Sequence, residues 1–138
     1  MSGNFPESIE KETYNKLEIL SDGSDLFRRI GLAELFVEKG NQRIESGDYR
    51  TLCKSAGILL RVLGEEFVLD TELKVNGREL RTYIHHLKIL AEEGKQDKVD
   101  ESVVRIAFQG VRSNSDYVVG EMVEYYELWG SVVPKIFR

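Results

Sequence analysis

The chain has 138 residues and a formal net charge of −5 at neutral pH. That length suits a single domain spanning residues 1–138, and an acid excess is the opposite of the basic footprint that marks most nucleic-acid binders. With 41% hydrophobic and 31% charged residues, the composition is that of a globular chain rather than a disordered one. No apolar run approaches the roughly 20 residues that cross a bilayer. The start Met1-Ser2-Gly3-Asn4 lacks the basic-then-apolar pattern of a signal segment. Cys53 is the single cysteine, so a disulfide within the chain and a thiolate metal cluster are both excluded. The expectation is a cytoplasmic protein without a membrane partner.

Phe5 to Leu20 opens with Pro6 and glutamates, a favourable first turn for a helix. Ile9, Tyr14, Leu17 and Leu20 form an irregular stripe, so residues 1–23 are expected to hold a short peripheral helix. Ser21-Asp22-Gly23-Ser24 ends it with four turn-forming residues in a row. Ser24 or Asp25 can then cap a long helix running to about Ser46. Its stripe is Leu26, Ile30, Ala33, Val37, Gly40 and Ile44, at alternating steps of four and three.

Gly47 stops that helix and Asp48 is placed to cap the next. Tyr49, Leu52, Cys53, Ala56, Leu60 and Leu63 repeat the same spacing until Gly64. Together these two patterns predict an antiparallel helical hairpin. Ile58, Leu59, Leu60, Val62 and Leu63 cover most of the second helix's circumference, which places it centrally in a bundle. Gly47-Asp48-Tyr49 also looks like the turn of a tetratricopeptide repeat. A period of about 34 residues would put the next turn near Arg81, inside a helical pattern, so no repeat is expected.

Residues 65–75 stay open between helix, loop and hairpin, because Asn76-Gly77 is a strong two-residue hairpin signal. The same residues also start a helix: Asn76 as cap, Glu79 three residues on, and Val75 with Leu80 as a hydrophobic staple. Leu80, Ile84, Leu87 and Ala91 continue that helix to Gly94. Val99, Val103, Ile106, Ala107 and Val111 mark a further helix, with Gly110 inside it. Ser113-Asn114-Ser115-Asp116 reads as a restart, and Tyr117 to Trp129 as a last helix ended by Gly130 and Pro134. Val132, Val133, Ile136 and Phe137 make residues 131–138 an apolar tail. The fold class is all-α: one bundle of five or six helices built around the hairpin.

Chemistry has few places to reside. His85 and His86 are the only histidines, and Arg81 and Lys88 share a helix with them. At about 100° per residue, His85 falls with Arg81, Lys88 and Glu92 on a largely solvated face, and His86 on the opposite flank with Thr82, Ile89 and Glu93. No His–x₃–His or Glu–x₂–His spacing appears, so neither a metal nor a cofactor is expected. Cys53 lies on an apolar stripe, the position of a buried structural thiol. Tyr125, Tyr126, Trp129, Ile136 and Phe137 are candidates for an aromatic and apolar contact surface, through which a homodimer or a protein partner would bind.

The order of a long helix, the turn Ser46-Gly47-Asp48-Tyr49 and the apolar helix Leu52 to Leu63 resembles the HEPN domains. These are small intracellular helical bundles of prokaryotic toxin–antitoxin and defence systems, and the resemblance covers Leu26 to Trp129 in outline. Catalytic members are metal-independent ribonucleases with an arginine, four to six intervening residues and a histidine, acting across a symmetric dimer. The resemblance therefore implies Arg81 and His86 as a catalytic pair, with Tyr83 as helper. Three functions follow in order. The first is a non-catalytic interaction or accessory protein that self-associates. The second is a HEPN-like ribonuclease, the one reading in which nucleic acid is a partner. The third is a small-ligand binder lined by interhelical glycines.

Overall fold

The computed structural model describes residues 25–127. Among them are five helices and no strand: α1 (Asp25–Ser46), α2 (Tyr49–Leu63), α3 (Glu65–Val75), α4 (Arg78–Glu93) and α5 (Glu101–Tyr125). The expected peripheral helix in residues 1–23 and the apolar tail 131–138 lie outside the described residues. The all-α bundle is the observed fold.

α2 and α5 each touch all four other helices, and the most extensive contact is between α4 and α5. The core between them is built from residues such as Phe36, Leu52, Leu63, Leu80, Leu87, Val111 and Met122, all essentially out of solvent. Burying such side chains stabilises the fold by about 1.5–3 kcal/mol each before chain entropy is counted. α1 turns its buried face one position from the expected stripe. Leu32, Ala33 and Phe36 are buried there, while Leu26, Ile30, Val37 and Ile44 pack only partly against the core. Two arginines fasten α1 to α2: Arg29 Nε donates to the Leu63 carbonyl at 3.0 Å, and Arg43 Nη1 donates to Ser55 Oγ at 2.8 Å. Asp48 makes no side-chain capping bond to α2.

Residues 65–75 are helical, and this changes the part played by Asn76. Asn76 adopts a left-handed conformation (φ 53°, ψ 49°) as the C-terminal cap of α3, with its N–H bonded to the Glu72 carbonyl. It therefore does not begin α4, whose N-terminus has no side-chain cap of its own. Glu121, across on α5, supplies the missing acceptor: its Oε1 takes the Leu80 N–H at 2.8 Å. An amide so close to a helix start carries partial positive charge, which favours a carboxylate there.

The expected break at residues 113–116 does not occur, and α5 runs through it. Ser113 Oγ and Asn114 Nδ2 both donate back to the Gly110 carbonyl, at 3.3 and 2.8 Å. Ser115 is buried. Polar side chains that cap a helix in one context bond to the preceding turn in another, and here the second option holds. The start of α5 is capped by Asp100, which accepts from the N–H groups of Ser102 and Val103.

Glu121 also forms a carboxyl pair with Glu79. Burial first, and then its hydrogen bond with Glu79, push Glu121 up to about 7. The same hydrogen bond, with help from Arg78, holds Glu79 below the usual carboxylate range. A carboxyl raised on folding contributes stability below its unfolded value of 4.5 and loses it as pH rises through 7. Glu79 acts in the opposite sense, but only below that window. Glu121→Gln keeps both hydrogen bonds and removes the titration. Its urea midpoint should match wild type at pH 5 and exceed it at pH 8; parallel curves at the two pH values would contradict the pairing.

Candidate cleft between α3 and α4

α3, α4 and the end of α2 line a cleft of about 510 Å³. Leu60, Val68 and Ile84 supply its apolar surface, and Leu69 lies at its α3 rim. Glu65 and Glu72 line the α3 side; Arg81, His85 and Lys88 line the α4 side. One wall is thus acidic and the other basic, above a greasy floor. Arg81 Nε lies 3.9 Å from Glu72 Oε2, a loose pair with the arginine side chain 60% exposed. Such a pair is worth at most about 1 kcal/mol and leaves the guanidinium open to other acceptors.

Arg81 therefore occupies the cleft, but His86 does not share it. The His86 ring lies flat against Gly110 of α5: a Cβ added at Gly110 would fall 2.5 Å from ring atoms Cγ, Cδ2 and Nε2. Its Nδ1 is 2.8 Å from the Thr82 carbonyl. A carbonyl can only accept, so in the neutral ring the proton sits on Nδ1. His86 serves here as a packing element between α4 and α5. His85 stands beside it, with ring centroids 5.5 Å apart and planes at 75°, and it is His85 that joins Arg81 in the cleft.

Tyr83 points the other way. It has no exposed surface, its hydroxyl has no hydrogen-bond partner among the described residues, and burial drives its ionisation far above the ordinary phenol range. A phenol in that position cannot reach a molecule in the cleft. Leaving a buried hydroxyl unpaired costs about 1–3 kcal/mol. Tyr83→Phe is therefore expected to keep or raise the melting temperature, measured by circular dichroism; a clear loss would mean that the hydroxyl has a stabilising partner.

The aromatic residues expected at an interface are used inside the chain where they are described. The Tyr125 hydroxyl donates to Asp70, and its ring meets Phe67 edge-on at 5.4 Å. Burial, and then the Asp70 carboxylate, push that phenol up to about 12. The Tyr126 hydroxyl accepts from Arg29 Nη1 at 2.6 Å. These contacts tie the end of α5 to α1 and α3. Trp129, Ile136 and Phe137 lie outside the described residues. Cys53 is buried, and desolvation with nearby Glu93 pushes its thiol up to about 11, which suits packing rather than attack.

What sequence reasoning missed is the outer edge of α3. Leu69 is 58% exposed and Leu73 82%, four residues apart and so on one side of the helix. Lys88 and His85 were also read only as members of a solvated face. Their spacing from Arg81, seven residues for Lys88 and four for His85, is the available signal. The opposing α3 wall was not.

Among the described residues no three His, Cys, Asp or Glu side chains converge as metal ligands, and no helix is long and apolar enough to cross a membrane. Comparison with family models, curated proteins and solved structures finds no match to the chain.

Proposed function

We propose that this is a non-catalytic helical interaction protein that self-associates, acting through the outer surface formed by α3 and α4. The observation that carries the reading is the ridge of Leu69 and Leu73, presented to solvent one turn apart, with Leu69 at the lip of a cleft with an apolar floor. A single exposed leucine is ordinary; two in register beside a groove give a surface that gains by being covered. The enclosure of Tyr83 supports the non-catalytic part. Sedimentation equilibrium of the full chain over a wide concentration range tests it: a dimer mass is expected, and a monomer mass throughout would overturn self-association.

A second reading is a HEPN-like metal-independent ribonuclease using Arg81 and His86 across two subunits. The exposure of the Arg81 guanidinium in a cleft favours it, since a phosphate could be held there. Incubation of RNA with the purified protein in chelator separates the two. No cleavage is expected; cleavage by wild type that is lost in both Arg81→Ala and His86→Ala would establish the second reading.

A further inference from the structure

The two faces that border the cleft are complementary to each other in charge. On α3, Glu65 and Glu66 stand exposed at the N-terminal end of the leucine ridge. On α4, Arg78, Arg81, His85 and Lys88 form an exposed stripe along one side. The acids of α4 are committed elsewhere: Glu79 to Glu121, Glu92 to Lys95 at 2.9 Å, and Glu93 to the Asp100 N–H at 2.8 Å. An acidic, apolar ridge thus runs beside a basic, apolar-floored groove on the same surface of one molecule. A two-fold axis exchanges such neighbours, because in an isologous contact each patch meets the partner's other patch.

We propose that a second copy of the chain occupies the cleft, each copy placing Leu69 and Leu73 of its α3 over the apolar floor of the other. Glu65 and Glu66 of one copy then face Arg81 and Lys88 of its partner. This rests on the self-association reading and supplies its surface. The leucines contribute apolar burial, and the charges set register and orientation. His85 lies along the same wall, between Arg81 and Lys88.

The test uses two charge-reversed full-length chains, Glu65→Arg/Glu66→Arg and Arg81→Glu/Lys88→Glu. The first has two basic faces and the second two acidic ones. Each alone should be pushed towards monomer, with its dimer dissociation constant raised about tenfold or more. Mixed in equal amounts they should form a heterodimer of near wild-type affinity, because each acidic face again meets a basic one. Circular dichroism melts of each variant confirm that it is folded, and the recovery on mixing is itself evidence that neither surface has collapsed. A wild-type dimer that persists unchanged in both variants overturns this surface while leaving self-association standing. A mixture of two folded variants that stays monomeric overturns the pairing of the two faces. A monomeric wild type that takes 8-anilinonaphthalene-1-sulfonate into the cleft would give the groove to a small apolar anion, and would overturn the proposal together with self-association.

Discussion

Gly110→Ala is expected to destabilise the protein by about 2 kcal/mol, and the same change in a His86→Ala chain to stabilise it by about 0.5–1 kcal/mol. The added methyl would lie 2.5 Å from three atoms of the His86 ring. Real carbon contacts do not come so close, so the ring, the helix or both must shift. The ring has little freedom to do so, since Nδ1 is bonded to the Thr82 carbonyl and the His85 ring packs against it. Once His86 is truncated the space is free, and the ordinary preference of a helix interior for alanine over glycine takes over. Urea unfolding of the four chains of the cycle measures the coupling. Additive effects would show that His86 does not pack on Gly110 in solution. The same His86→Ala chain serves the RNA assay, so a loss of activity can be read beside its loss of packing.

Gly40→Ala should cost more, about 2–3 kcal/mol, because it overpacks a site with less room to relax. Gly40 is buried on α1 where α5 crosses it. A methyl there would fall 2.6 Å from Phe108 Cζ, nearer still to Cε1, and 3.2 Å from Leu52 Cδ1. Phe108 is 3% exposed and stacks at a tilt on Phe36 with centroids 5.9 Å apart, so rotating it away disturbs a second ring. A smaller residue at the crossing should relieve the clash: Phe108→Leu costs stability alone but should recover part of it in combination with Gly40→Ala. The midpoints of thermal unfolding for the two single and one double variant test this. Strict additivity would contradict the contact.

The fold was largely legible because its helices are punctuated. Gly47-Asp48 and Gly64 bracket α2 as read, and the stripe through Leu52, Cys53, Ala56 and Leu63 is the one that is buried. Errors came where a residue type supports two local structures of similar energy. Asn76 closes α3 in the left-handed region rather than opening α4, and Ser113 and Asn114 bond back to Gly110 rather than capping a new helix. Each choice was decided by tertiary packing: Glu121 had already taken the N-terminus of α4, and α5 had one continuous face to bury against α4. The site was legible only by half. The spacing of Arg81, His85 and Lys88 is visible in the sequence, whereas the opposing wall belongs to a segment whose helical state the sequence left open. Arg81 and His86 stand on different flanks of α4, as their spacing predicts: Arg81 lines the cleft and His86 packs on Gly110. Gly110, which the sequence places inside a helix, marks where the His86 ring lies.

Whether the exposed edge of α3 is a contact surface is decided by the sedimentation of wild type beside Leu73→Glu at the same concentration. Leu73 is 82% exposed, so a charge there leaves the core untouched and the variant should still unfold cooperatively, with only the stability contributed by association lost. A dimer for wild type and a monomer for the variant is the predicted result. Equal masses for the two folded chains would contradict it.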